Sequence, residues 1–110
     1  MNTRTINPPY EKGKIYGIVC FETARIYVGS TTDSLCGRLG DHKTSWRRFR
    51  QGLRKYDCSS CDIINTGNYG IFLIENFPCE NRRELLAREG HWIDEYSHSC
   101  VNRMLRSHQN

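Results

Sequence analysis

The chain has 110 residues, 37% hydrophobic and 25% charged, with a net charge of +4. That length sets an expectation of one domain, and an apolar share somewhat below the globular norm predicts a thin core. No apolar run approaches the roughly 18 residues of a membrane-spanning helix and no basic segment followed by an apolar stretch opens the sequence, so the expected location is intracellular, cytoplasmic or nuclear, and not secreted.

Residues 1–11, with Pro8 and Pro9 and no periodicity, read as a lead-in that packs late or not at all. From Gly13 the pattern becomes strand-like, with Ile15 to Phe21 and Arg25 to Gly29 as two β-rich runs around a polar turn, Glu22-Thr23-Ala24. Runs this close predict a hairpin. Tyr16 and Tyr27 each stand just before a glycine or one residue from it, which lets another group approach the backbone.

Asp33 or Ser34 is placed to cap the next element. There Leu35, Leu39, His42, Trp46, Phe49 and Leu53 fall within an arc of roughly 80° at about 100° per residue, an amphipathic helix. Gly37 and Gly40 weaken it, which points to a crowded first turn or a late start. Lys43, Arg47, Arg50 and Arg54 form a second arc beside the apolar one. From Arg38 to Lys55 there are seven bases against one acid, Asp41, so this segment carries +6 and the rest of the chain −2. A positive stripe along one helix can track a phosphate backbone, although a solvated helix face without a partner would look the same.

After Cys58-Ser59-Ser60-Cys61 and a turn at Asn65-Thr66-Gly67-Asn68, Tyr69 to Ile74 reads as a strand apolar on both faces, expected in the middle of the sheet. Beyond Pro78, Asn81 caps a helix with Glu84 three residues on, a variant of the capping box. Leu85, Leu86, Trp92, Ile93 and Tyr96 give that helix one broad apolar face. Glu89 falls near the middle of this face. A carboxylate facing a core is costly unless paired or bound to a metal, so Glu89 is either half of a buried ion pair, with Arg38 as candidate partner, or a magnesium ligand.

In order, Lys14-Ile15-Tyr16, Tyr27-Val28-Gly29, Arg38-x-x-x-His42, Arg88-Glu89-x-x-Trp92-Ile93 and Asn102 resemble the motifs of the GIY-YIG nuclease domain. The Phe77 to Asn81 turn and Cys100-Val101-Asn102 look most like the small stand-alone members of large DNA viruses and phages. The resemblance implies an α+β fold with a small central antiparallel sheet flanked by helices. It also implies cleavage of DNA phosphodiesters with one divalent ion, Mg²⁺ or Mn²⁺. Carried over by position, Glu89 would hold the ion, Arg38 would stabilise the scissile phosphate, and Tyr16 would activate water with help from His42. Tyr27 would orient the phosphate or share that role, and Asn102 would fix the site from the C-terminal side. A tyrosine with a pKa near 10 is a poor base at neutral pH, so Arg38 or the ion would have to favour its phenolate. The motif's first Gly is Lys14 here, and residues 104–110 are a polar tail, with no separate DNA-recognition domain after the expected domain at 12–103.

Six Cys admit other readings. Cys58-x-x-Cys61 has metal-knuckle spacing, with Cys79, His98 or Cys100 as further ligands, but His98-x-Cys100 is only an approximate second pair. A Cys58–Cys61 redox pair is another option, and reduced thiols packed as small hydrophobes are the expectation, without structural zinc. The sequence thus favours a metal-dependent DNA endonuclease with DNA as partner. A non-catalytic nucleic-acid-binding module with a decayed nuclease site is the alternative, and a zinc-stapled interaction domain a third.

Overall fold

The computed structural model describes residues 9–52 and 59–101. A single 3₁₀ turn, Tyr10–Lys12, leads into strand β1, Lys14–Cys20, and β2, Ile26–Thr31. Helix α1 spans Leu35–Arg50, a short α2 spans Cys61–Thr66, β3 spans Tyr69–Asn76 and α3 spans Arg82–Glu95. The three strands form one antiparallel sheet in the order β2-β1-β3. This is the α+β architecture, a small antiparallel sheet flanked by helices, that the motifs imply.

Period-two alternation sends successive side chains of β1 and β2 to opposite layers. Tyr16, Ile18 and Cys20 pack with Ile63, Ile64 and Val101, against Tyr27, Leu35, Leu39 and Trp46, so this face carries α1 and α2. Ile15 and Val28 face the other way and pack with Cys79, Leu85 and Ile93, beneath α3. Cys20, Cys61 and Cys79 are buried, Cys20 and Cys79 within these clusters, the positions of small hydrophobes.

Several expectations change in detail. Of the lead-in, Tyr10 packs against the α3 layer, and its carbonyl accepts from the amides of Gly13 and Cys79. β1 ends at Cys20, leaving Phe21 64% exposed in the turn. β3 lies at the sheet edge and not in its middle, with Leu73 43% exposed. Its apolar residues on both faces reflect helices above and below the edge: Tyr69 and Ile71 join one cluster and Ile74 the other. Phe49 and Leu86, expected on apolar helix faces, are exposed. Leu53, Arg54, Lys55, Cys58 and Asn102 lie outside the described residues.

Ser34 is the cap of α1, its Oγ accepting from the Gly37 amide at 3.0 Å. Gly37 is the crowded position, since a Cβ there would stand 2.8 Å from an Asp33 carboxylate oxygen, while Gly40 faces open space. Asn81 caps α3 through the Glu84 amide at 3.0 Å, and the Glu84 carboxylate reaches back to the Glu80 amide at 2.9 Å. α2 ends on Gly67 in the left-handed region at φ 73°, where a Cβ would be strained.

Candidate active site

Tyr16 stands opposite Gly29 across the β1–β2 pair. The phenol crosses the glycine so closely that a Cβ on Gly29 would lie 2.5 Å from its hydroxyl oxygen. That passage delivers the hydroxyl to α1, where it meets His42 Nε2 at 2.7 Å and accepts from Arg38 Nε at 3.1 Å. The His42 ring stands edge-on to the rings of both Tyr16 and Tyr27. Its Nδ1 meets Ser60 Oγ at 2.7 Å. Arg38 Nη1 pairs with Asp41 at 3.4 Å.

Burial raises the Tyr16 hydroxyl above its ordinary pKa; the Arg38 charge and hydrogen bond pull the other way and do not win. Of the two groups expected to favour a phenolate, Arg38 and the ion, Arg38 by itself does not offset the burial of the hydroxyl. Burial, reinforced by Arg38, holds His42 down at about 4, so the imidazole is neutral at pH 7.

Glu89 projects from α3 on the opposite face of the sheet, and its carboxylate accepts from the Ser30 hydroxyl at 2.5 Å. Burial raises its pKa, with Ser30, Arg38 and Arg82 acting against the rise. The ion-pair alternative is not realised: among the described residues Arg38 pairs with Asp41 and not with Glu89. A cavity of about 390 Å³ opens beside the carboxylate, lined among others by Tyr27, Ser30, Thr31, Thr32, Arg38 and Arg82. A second, of about 190 Å³, includes Arg38, Asp41, His42, Ser45 and Ser60 in its wall, and Tyr27 and Arg38 line both. The Ile26 amide donates to the Ser99 carbonyl and the Val101 amide donates to the Ile26 carbonyl, at the end of β2 away from Ser30.

The surroundings of Glu89 fit a hard divalent ion. One carboxylate, with hydroxyls around it and room for water, suits a cation that keeps several waters and takes only one or two carboxylates from a protein. Among the described residues no three of His, Cys, Asp and Glu come together, which is the grouping a softer metal would require.

Lys43, Arg47 and Arg50 are exposed on α1, as the stripe requires. Arg50 is also held locally, lying over the Trp46 ring at 5.3 Å and donating to Asn65 at 3.4 Å. Arg88 faces away from the cavities and makes a two-pronged bond to Glu75, at 2.6 and 2.9 Å, while the Trp92 indole donates to the same carboxylate. Ser30 and Ser60 were invisible to sequence reasoning, since only the fold brings them to Glu89 and His42. Lys14 has a structural task, its ammonium donating to the carbonyls of Lys12 and Asp33 and tying the start of β1 to the loop before α1.

Arg38 thus stands in the wall of both cavities, beside Glu89 in one and His42 in the other, and holds the Tyr16 hydroxyl. Residues 12–104 match the family model described as the GIY-YIG catalytic domain, and the chain belongs to that family. A search of curated proteins finds no match. Among solved structures, the catalytic domain of the homing endonuclease I-TevI is similar at a TM-score of 0.63 and 21% identity, over 83% of this chain and 97% of that one. A mutant of the same catalytic domain, described as an intron endonuclease, gives 0.55 and 22%, over 78% of this chain and 84% of that one. At these identities the likeness is one of fold.

Proposed function

We propose that this domain is a metal-dependent DNA endonuclease. The observation that carries the reading is that Arg38 and Tyr27 line two cavities, one also lined by Glu89 and the other by His42, while the buried Tyr16 hydroxyl is hydrogen-bonded to both Arg38 and His42. The scissile phosphate lies against the wall the cavities share, with Arg38 as its cationic contact and Tyr27 beside it. An attacking water gives its proton to the Tyr16 oxygen as the Tyr16 proton passes to His42 Nε2. The water oxygen forms the new P–O bond, the opposite P–O bond breaks, and the departing oxygen takes a proton from solvent. Arg38 stabilises the negative charge that accumulates on phosphorus-bound oxygens in between. Glu89 would hold the divalent ion, which when bound neutralises phosphate charge and polarises the reacting oxygens. Asn102 is kept as a proposed site residue, next in sequence to Val101. Lys43, Arg47, Arg50 and Arg54 provide sequence-independent contacts to the DNA backbone.

The test is incubation of the protein with supercoiled plasmid and with branched oligonucleotides, in Mg²⁺ or in EDTA. Cleavage in Mg²⁺ alone is expected. Binding without cleavage under every metal condition would replace this reading with that of a nucleic-acid-binding module.

A further inference from the structure

We infer that Ser60 is a positioning residue for the reaction: its hydroxyl accepts from His42 Nδ1–H and so fixes the imidazole in the tautomer whose Nε2 lone pair takes the Tyr16 proton. The inference rests on the proposed function and deepens it at the proton-accepting end.

The hydrogen-bond chain has one consistent assignment of protons. A guanidinium only donates, so the 3.1 Å contact from Arg38 Nε occupies the Tyr16 oxygen as acceptor. The Tyr16 ring is wholly buried, so its own O–H has to be satisfied inside the protein, and His42 Nε2 at 2.7 Å is the acceptor in reach. Nε2 must then be bare, and a neutral imidazole with a bare Nε2 carries its proton on Nδ1. That proton points to Ser60 Oγ at 2.7 Å. The other tautomer would direct a second donor at the Tyr16 oxygen and take from the buried Tyr16 O–H the His42 acceptor.

The setting of Ser60 supports this assignment. Ser60 is the N-cap residue of α2, yet its side chain makes no cap bond, and its carbonyl accepts from the Ile63 and Ile64 amides. The hydroxyl serves His42 in place of the helix. The residue is fully buried, and Ile63 and Ile64, one turn on, anchor α2 in the core, so Oγ has little freedom to move. Around His42 stand Tyr16 and Tyr27 from the sheet, Arg38 and Asp41 from α1, and Ser60 from the start of α2. Ser60 is the member of this ring that meets Nδ1.

The test reads the tautomer directly, by ¹⁵N NMR of imidazole nitrogens in the full chain at neutral pH, in the parent and in Ser60→Ala. The parent is expected to show the Nδ1–H form. Ser60→Ala is expected to melt with the parent, show a mixture or the Nε2–H form, and cleave at least about 10-fold more slowly in single turnover with unchanged DNA affinity, a part of the about 100-fold or more a general base supplies. Ser60→Thr, which keeps the oxygen, is expected to restore both tautomer and rate. An Nε2–H tautomer in the parent overturns the inference whatever the variants do. So does a Ser60→Ala protein with the parent's tautomer and rate. A parent with the Nδ1–H tautomer that cuts no DNA in Mg²⁺ would instead overturn the proposed function and leave the tautomer assignment standing.

Discussion

The proposed reaction gives Arg38 two tasks that a single point charge could not perform together. Its Nε bonds to Tyr16 and its guanidinium lines both cavities, so in the proposed reaction its contribution would grow as negative charge builds on the phosphate. Arg38→Ala is expected to lower the single-turnover rate by on the order of 100-fold, the usual cost of removing one preorganised donor, with little change in DNA affinity. Arg38→Lys should not restore the rate, because an ammonium lacks the planar fork needed to hold a phenol and a phosphate together. Parallel loss of binding and cleavage would make Arg38 an ordinary phosphate clamp. Glu89 makes the opposite kind of prediction, since it is an acid in a half-buried place supported by the Ser30 hydroxyl and by the charges of Arg38 and Arg82. Glu89→Gln keeps an oxygen for Ser30 and removes the buried charge. Its melting temperature without metal should equal or exceed the parent's, Mg²⁺ should stabilise the parent alone, and cleavage should be lost. A variant that melts much lower yet cuts at the parent rate would remove Glu89 from the metal site.

At the scale of elements, the proposed function has α1 separate affinity from chemistry. It presents Arg38 and His42 inward, with Lys43, Arg47 and Arg50 exposed beside them. Replacing Lys43 and Arg47 together by Ala should reduce the slope of log K against log salt by about 0.9 for each phosphate the helix no longer neutralises, while saturated cleavage stays near the parent rate. An unchanged slope would move the DNA to another face. The sequence makes the long elements readable for a physical reason: α1, α3 and the hairpin each bury one face, and burial of one face leaves a period. β3 misleads because helices cover both sides of the sheet's edge, so apolar residues on both faces report layers and not neighbouring strands. α2 is too short to show a period and is defined by Ser60 at one end and Gly67 at the other. The candidate site follows the same division. Tyr16, Tyr27, Arg38, His42 and Glu89 carry ordered motifs, whereas Ser30 and Ser60 lie 59 and 18 residues from the groups they bond and carry no local signal.

For the molecule as a whole, His42 couples folding to pH. Its folded pKa of about 4 lies below the ordinary 6.5, so on acidification the unfolded chain takes up a proton that the folded protein refuses. The stability is fully present above about pH 6.5 and is lost as pH falls through about 4, in total about 3 kcal/mol. Urea unfolding should show a loss of about 2 kcal/mol between pH 7 and pH 5. Glu89 acts in the other direction, its raised pKa favouring the fold as the carboxyl protonates, so the measurement is cleanest in Glu89→Gln. A flat profile there would mean that His42 is protonated in the folded protein. The layered build has a consequence of its own. The groups proposed to act on one phosphate belong to helices on opposite faces of a three-stranded sheet, so their alignment depends on α3 staying docked through Leu85, Ile93 and the Arg88–Glu75 pair. Partial opening that lifts α3 from an otherwise intact sheet would part Glu89 from Arg38 while most backbone hydrogen bonds survive. Cleavage should then fade several degrees below the circular-dichroism melt, with α3 amides exchanging with deuterium sooner than those of β1, so that the working lifetime of the site is set by the lifetime of one docked helix.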